Sequence, residues 1–123
     1  MTSESQHQSA LVKWLDAVAV KIWPGLLLPD GRLPYFHIRN EAARGRGWRA
    51  GCRKGVPDLF FPIASMDEHL LHGLFIEMKA DVGRTSPEQD MWLSWLKSER
   101  YATAVCYGAD AAIEAITEYL GEQ

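Results

Sequence analysis

The 123-residue sequence predicts an α/β domain in which helices flank a mixed β-sheet of about four strands. Three segments carry apolar side chains at helical spacing: residues 6–23, 87–99 and 111–120. Four short apolar runs are typical of strands: residues 35–38, 59–63, 74–79 and 101–107. The order is therefore α-β-β-β-α-β-α. Because a helix separates the last two strands, we expect a crossover that places residues 101–107 parallel to another strand of the same sheet.

The first helix is expected over residues 6–23, where apolar side chains recur at the i, i+3, i+4, i+7 spacing of a buried face: Leu11, Trp14, Leu15, Val18 and Ile22. Its capping box would be either Ser3-x-x-Gln6 or Ser5-x-x-Gln8. Pro24-Gly25 ends the helix, and a turn-rich loop over residues 26–34 leads to the first strand.

The second and third strands are expected to form a hairpin. Residues 59–63 would pair with residues 70–79 across a loop at 64–69. Asp58 opens the first run directly after Pro57, where the backbone is held extended. Along the third strand, Glu77 and Lys79 share one face and lie roughly 7 Å apart. Pairing of the two strands would bring Asp58 near Glu77.

These side chains suit one kind of chemistry. Hard cations such as Mg²⁺ take oxygen ligands, and one or two carboxylates with substrate phosphate form their usual shell. We therefore expect Asp58 and Glu77 to bind Mg²⁺ or Mn²⁺, which would lower the pKa of a bound water. Lys79 would stabilise negative charge that develops on a phosphate oxygen. The two motifs together indicate metal-assisted phosphodiester hydrolysis, whereas either motif alone is more typical of a turn or a solvated strand face.

The second long helix begins with a clear cap. Ser86 is a good N-cap, Pro87 fits the first helical position, and Gln89 falls at the third. Gln89 could therefore serve the cap or the site, and the sequence leaves both open. Farther along, Trp92, Trp95 and Leu96 are predicted to form a buried stripe.

The C-terminal elements complete the predicted core. Residues 101–107 read as a buried strand in which Cys106 is a small core residue. The last helix, over residues 111–120, would bury three apolar side chains: Ile113, Ile116 and Leu120.

Charge is distributed unevenly. The chain as a whole carries −3, which argues against a DNA-binding protein if only the total is considered. Residues 39–54 nevertheless carry +5, and the rest of the chain carries −8. Such a basic arm suits contacts with backbone phosphates, and its candidate DNA-binding residues are Arg39, Arg44, Arg46, Arg49, Arg53 and Lys54. A solvated loop is the alternative, and Trp48 within it could stack on a base or anchor the loop.

Several classes of protein are disfavoured. No apolar run approaches the ~20 residues of a membrane span, and the N-terminus lacks the pattern of a signal peptide. We therefore expect a single domain over residues 1–123 in the cytoplasm, without a membrane partner. Cys52 and Cys106 are too few for a disulfide framework, and His69-x-x-His72 without paired cysteines is more typical of a solvated loop than of zinc binding.

Taken in order, these motifs resemble the VRR-NUC domain of the PD-(D/E)xK nuclease superfamily, in its small stand-alone form known from phages and bacteria. The similarity covers nearly the whole chain. It runs through Glu4-x-x-x-Gln8, Trp14, residues 38–41, the Arg/Gly stretch, residues 55–59, residues 75–79, residues 86–89 and Trp92.

The resemblance implies a restriction-endonuclease-like core and a metal-dependent DNA endonuclease. It implies Asp58, Glu77 and Lys79 as the core of the site, with the Met78 backbone carbonyl as a further metal ligand. It also implies Glu4 as the acid of the first helix and Gln89 as a supporting residue. Glu41, beside the basic arm, is a second candidate for the third acid, and would otherwise pair with an arginine there.

The resemblance further implies a homodimer that resolves four-way (Holliday) junctions, since two symmetric sites suit a two-fold symmetric substrate. A flap or general DNA nuclease of the same fold is one alternative. A non-catalytic DNA-binding module is another, and a structural protein with a Glu77–Lys79 surface pair is a third. The sequence alone distinguishes neither the DNA structure cleaved nor Mg²⁺ from Mn²⁺.

Overall fold

The structure is a computed structural model that describes residues 2–39 and 50–121. Helix α1 (Glu4–Trp14) continues through a π-helical stretch (Leu15–Ala19) into the short helix α2 (Val20–Ile22). A 3₁₀ turn (Pro24–Leu26) precedes strands β1 (Phe36–His37), β2 (Leu59–Phe61) and β3 (Leu74–Lys79). Helix α3 (Pro87–Ser98), strand β4 (Ala102–Tyr107) and helix α4 (Ala109–Leu120) follow.

The described strands form one mixed sheet in the order β1-β2-β3-β4. Both β1–β2 and β2–β3 are antiparallel, whereas β4 lies parallel to β3. The hairpin register pairs Leu59 with Ile76 and Phe60 with Phe75. The predicted fold class is therefore confirmed: an α/β domain with a four-stranded mixed sheet, in which α3 provides the crossover that makes β3 and β4 parallel.

The N-terminal helix begins where its cap predicts. The Ser3 hydroxyl accepts a hydrogen bond from the Gln6 backbone N–H, and the Gln6 side chain accepts one from the Ser3 N–H. Of the two candidate boxes, Ser3–Gln6 is thus the one that forms. Gln8 lies beyond the cap and is half-buried.

The buried face of this helix differs from the prediction at its C-terminal end. Leu11 and Leu15 are buried as expected, but Val18 and Ile22 are 42% and 47% exposed. Ala19 and Trp23 are buried in their place. The π-helical stretch explains the change, because its wider turns rotate each following residue backward around the axis. The buried side chains consequently recur every four residues, which a regular 3.6-residue period does not anticipate.

The two faces of the sheet have different characters. Leu74, Ile76 and Met78 of β3 join a buried cluster with residues of α1 and α4. Since side chains alternate along a strand, Phe75, Glu77 and Lys79 lie on the opposite face. There Phe75 stacks on Phe60 with ring centroids 4.2 Å apart, and the polar residues follow toward the end of the strand. Glu77 and Lys79 therefore share one face, as the sequence predicted.

Two further expectations need correction. Leu96 is buried, but Trp92 is only half-buried and Trp95 is 59% exposed, so no buried tryptophan stripe exists on α3. Helix α3 packs on β4, at the edge of the sheet, and this edge covers only a narrow strip of the helix. For the same reason β4 is mostly half-buried rather than buried, although Cys106 within it is a core residue as expected.

No helix in the described part of the chain is long and apolar enough to cross a membrane. His69 and His72, which the sequence placed in a solvated loop, are both exposed.

Gly55 sets the approach of the segment before β2 to helix α3. Its φ is +94°, a conformation that L side chains rarely adopt. A Cβ atom at this position would lie 2.6 Å from the backbone carbonyl carbon of Glu88. The glycine is therefore required by both its backbone conformation and its close contact with the first turn of α3.

We predict that Gly55→Ala lowers the free energy of unfolding by about 2 kcal/mol, because it combines left-handed strain with a clash against backbone. Gly25→Ala is the matched control, since a Cβ there meets nothing within 4 Å. Its effect should stay below about 0.5 kcal/mol. Urea unfolding followed by circular dichroism measures both, and equal midpoints for the two variants would contradict the assignment.

Candidate active site

Asp58 is held at the mouth of β2 by two elements. Its backbone carbonyl accepts a hydrogen bond from the Ile38 N–H at 2.6 Å, next to β1. Its carboxylate oxygen Oδ2 accepts one from the Met78 N–H at 2.7 Å. The carboxylate is thereby fixed beside the end of β3, as the predicted hairpin required. Oδ1 takes no part in that bond.

Glu77 is a buried carboxylate with incomplete hydrogen bonding. Its side chain is 2% exposed. Oε2 accepts a hydrogen bond from Gln89 Nε2 at 3.0 Å, whereas Oε1 is buried without a hydrogen-bond partner. Burying a carboxylate oxygen without compensation is costly, so this atom marks a place where a ligand would be stabilised.

The electrostatics of Glu77 support the same conclusion. Its pKa is raised to about 8: burial is the largest cause, the nearby Asp58 carboxylate adds to the rise, and Lys79 opposes it. A raised pKa means that the charged form is disfavoured in the folded chain by lost hydration and by a like charge nearby. Two carboxylates that lie close together in a desolvated site favour either sharing a proton or binding a cation.

Gln89 serves the helix cap and the site together. Its Oε1 accepts from the Ser86 N–H at 2.8 Å, and its backbone N–H donates to Ser86 Oγ at 3.1 Å. Its Nε2 remains to donate to Glu77. The capping box therefore orients the amide so that its second end reaches the carboxylate. The two roles that the sequence left as alternatives are compatible, because an amide has an acceptor at one end and donors at the other.

Lys79 follows Glu77 on the same face of β3 and is 8% exposed. A lysine this buried has lost much of the hydration of its ammonium group, so nearby anions must compensate. The carboxylate of Glu77 supplies part of that compensation, since the positive charge of Lys79 lowers the pKa of Glu77.

These side chains open into one cavity of about 330 Å³. It is lined by Glu4, Lys54, Gly55, Asp58, Glu77, Lys79, Arg84, Ser86 and Gln89. Five predicted site residues and one predicted DNA-binding residue thus meet at one end of the sheet, drawn from α1, the segment before β2, β3 and α3. Glu4 is exposed at the rim.

Arg84 was not anticipated. It lies on the connection between β3 and α3, two residues before the Ser86 cap, and it lines the cavity. Its position in the sequence could have indicated this. A basic residue on a short connection between two elements that both carry site residues must lie near the site.

Part of the predicted basic arm lies outside the described residues, namely Arg44, Arg46, Arg49 and the candidate acid Glu41. Arg39 is exposed beyond β1. Lys54 Nζ lies 3.9 Å from Glu88 Oε1, and the Arg53 guanidinium lies 5.4 Å from the centroid of the Trp92 ring.

The donor set fits a hard divalent cation with few protein ligands. Within residues 2–39 and 50–121, no group of three or more His, Cys, Asp or Glu side chains is arranged to hold a metal. Two carboxylates, one with an unpartnered oxygen, are nevertheless present, and Mg²⁺ commonly uses one or two carboxylates while keeping several waters. The residues therefore fit Mg²⁺ or Mn²⁺ better than a metal that requires a complete protein cage.

The backbone of Met78 is also suitably directed. The carbonyls of Gly73 and Lys79 accept hydrogen bonds from the β4 side, so odd-numbered residues of β3 direct their backbone groups to β4. Met78 is even-numbered, and its N–H is directed the other way, to Asp58. Because the N–H and C=O of one strand residue point to the same side, the Met78 carbonyl is directed to the Asp58 side, beyond the start of β2.

Comparison with known proteins shows the family of this chain. The model of the VRR-NUC domain matches residues 2–110. A solved structure described as a VRR_NUC domain protein is similar over 98% of this chain and 92% of its own, with 27% identity and a TM-score of 0.72. No curated protein matches the sequence.

The family match spans the helix that carries Glu4, the hairpin that carries Asp58, Glu77 and Lys79, and the capped helix that carries Gln89. The chain therefore belongs to the VRR-NUC family and is a nuclease-type domain.

Proposed function

We propose that the protein is a Mg²⁺- or Mn²⁺-dependent endodeoxyribonuclease that hydrolyses phosphodiester bonds in branched DNA. One observation carries the proposal: Glu77, whose buried Oε1 has no hydrogen-bond partner, lines one open cavity together with Asp58 and Lys79. A desolvated acidic pair beside a buried ammonium group suits a reaction in which a cation and a phosphate enter together.

Asp58, Glu77 and the Met78 carbonyl are the residues that would hold the metal. When bound, Mg²⁺ or Mn²⁺ would lower the pKa of a coordinated water molecule and neutralise negative charge on the phosphate. Gln89 keeps the Glu77 carboxylate in position through its 3.0 Å hydrogen bond. The Met78 N–H does the same for Asp58. Glu4 is the candidate third acid from the rim, and Glu41 is the alternative outside the described residues.

The basic residues of the cavity would act on the substrate. Lys79 stabilises negative charge that develops on a phosphate oxygen, and its burial strengthens that interaction. Lys54 and Arg84, which line the same cavity, supply further positive charge for backbone phosphates. The net positive segment 39–54 would extend this contact along the DNA.

We further propose a homodimer that cuts four-way junctions in the cytoplasm. The chain is small, its positive charge is concentrated in one segment, and two copies related by two-fold symmetry would match the symmetry of a junction. Flaps and simple duplexes contain the same phosphodiester and are the alternative substrates.

The first prediction concerns the metal ligands. Asp58→Asn and Glu77→Gln should each abolish detectable cleavage and weaken Mn²⁺ binding about 100-fold, because each removes a charged oxygen ligand. Calorimetric titration with Mn²⁺ measures the affinity, and circular dichroism checks the fold.

Glu88→Gln is the control for this test, since Glu88 is an acid near the site that does not line the cavity. It should bind Mn²⁺ as the unmodified protein does. Unchanged affinity in both the Asp58 and Glu77 variants would reject the metal assignment.

The second prediction concerns the lysine. Lys79→Ala should reduce the cleavage rate about 100-fold while retaining Mn²⁺ binding, because an ammonium group stabilises an oxyanion but cannot ligate a cation. Lys97→Ala, on the exposed last turn of α3, is the control and should cleave normally. If Lys79→Ala cleaves at the unmodified rate, Lys79 has no role in the reaction.

The third prediction concerns substrate and assembly. A four-way junction should be cut in preference to linear duplex, and light scattering should give the mass of a dimer.

Replacing Arg44, Arg46, Arg49 and Arg53 by Ala should make the dependence of log affinity on log salt concentration less steep. The slope should fall by up to roughly 0.9 for each arginine–phosphate interaction that the substitutions remove. Arg100→Ala, whose guanidinium donates to the His69 carbonyl, is the control. A monomer equally active on linear duplex would contradict the junction preference and leave the nuclease proposal standing.

A further inference from the structure

An exposed aromatic groove lies on helix α3 beside the site. It has a volume of about 230 Å³ and is lined by Arg53, Met91, Trp92 and Trp95. Trp95 is 59% exposed and Met91 is 53% exposed. Large apolar side chains that are exposed together on a folded domain commonly mark a binding surface. None of these four residues takes part in the proposed hydrolysis, so the groove has no role in that chemistry.

The edge of the groove is cationic. The Arg53 guanidinium lies over the Trp92 ring at 5.4 Å, the geometry of a cation–π contact. Lys54, the next residue, lines the active-site cavity. An aromatic surface with a positive edge complements a ligand that is both aromatic and anionic, such as a nucleotide. A second copy of the chain that docked here through the same groove would place its own positive edge against this one, and the two like charges would repel.

The groove is also close to the reacting phosphate. Gln89, which donates to Glu77, and Trp92 lie three residues apart on α3, which corresponds to about 4.5 Å along the helix axis. One DNA strand advances about 3.4 Å per nucleotide in a duplex. If the strand runs along α3, a phosphate in the cavity would place one of its next two bases near the groove.

We propose that this groove stacks an unpaired nucleobase one or two nucleotides from the cleaved phosphate. The inference rests on the proposed nuclease function and refines its substrate. A base inside a duplex has both faces covered by its neighbours, so it cannot stack on Trp95. The preferred substrates would therefore expose unpaired nucleotides at the site, as a flap or a gap does, and a fully paired four-way junction would need a base pair opened at its crossover.

An abasic scan tests the proposal. Binding is measured in the inactive Asp58→Asn background with flapped DNA in which each nucleotide near the branch is replaced, in turn, by an abasic one. The cleaved phosphate is mapped with the unmodified protein. We expect one position, within two nucleotides of that phosphate, to lose about 10-fold in affinity when its base is removed.

Substitutions in the groove complete the test. Trp95→Ala should weaken binding of the intact flap about 10-fold and remove the position dependence of the scan, whereas Trp95→Phe should preserve both because it retains a stacking face. Met66→Ala removes an apolar side chain that is 76% exposed on the connection between β2 and β3, and it should change neither.

A flat abasic profile in the Asp58→Asn background would overturn the proposal. So would a Trp95→Ala variant that binds the flap normally. A Trp95→Ala variant that becomes monomeric by light scattering, with a flat profile, would assign the groove to a second copy of the chain. Failure of the nuclease proposal is separate, because the binding measurements involve no cleavage. If the protein does not cleave DNA, the position of each abasic nucleotide is counted from the branch point instead of from the cleaved phosphate.

Discussion

The desolvated carboxylate of Glu77 is the constraint on which the site depends. It sits on the last part of a strand whose other face is hydrophobic core, so it cannot be exposed without disrupting that core. One oxygen is satisfied by Gln89, the other has no hydrogen-bond partner, and Asp58 adds a like charge. Burial, the unpartnered oxygen and the like charge of Asp58 each raise the free energy of the ionised site, whereas the hydrogen bond from Gln89 lowers it. Binding of a cation would offset that cost, and the offset would contribute to the affinity for the cation.

The neighbouring elements hold this carboxylate from two directions. The antiparallel hairpin brings Asp58 to the Met78 N–H, and the crossover helix α3 brings its first turn over the same end of β3. The capping box then orients Gln89, and Gly55 allows the segment before β2 to contact Glu88 closely. The cap, the close backbone contact and the mixed strand direction therefore contribute to one geometry. A change in any of them would move one of these carboxylates as well as lower stability.

Charge and aromatic surface extend from the site in the same direction. Arg53 and Lys54 are adjacent in sequence, yet one stacks on Trp92 and the other lines the cavity. Outside residues 39–54 the chain carries a net charge of −8, so its net positive charge lies in that segment. The proposed function would combine phosphate contacts, which are independent of sequence, with an aromatic surface that favours an unpaired base.

The sequence by itself determined the order of elements, the mixed sheet, the shared face of Glu77 and Lys79 and the approach of Asp58, because these follow from alternation and strand pairing. It also located the cap of α3 and reduced that of α1 to two candidates, since capping depends on residues three apart. Only the tertiary structure decided that Gln89 serves both cap and site, that Arg84 reaches the cavity and that Trp95 is exposed. It also revealed the π-helical stretch that replaces Val18 and Ile22 by Ala19 and Trp23 in the core. These features depend on where one element lies against another, and a pattern along the chain carries no information about how much of a helix its neighbour covers.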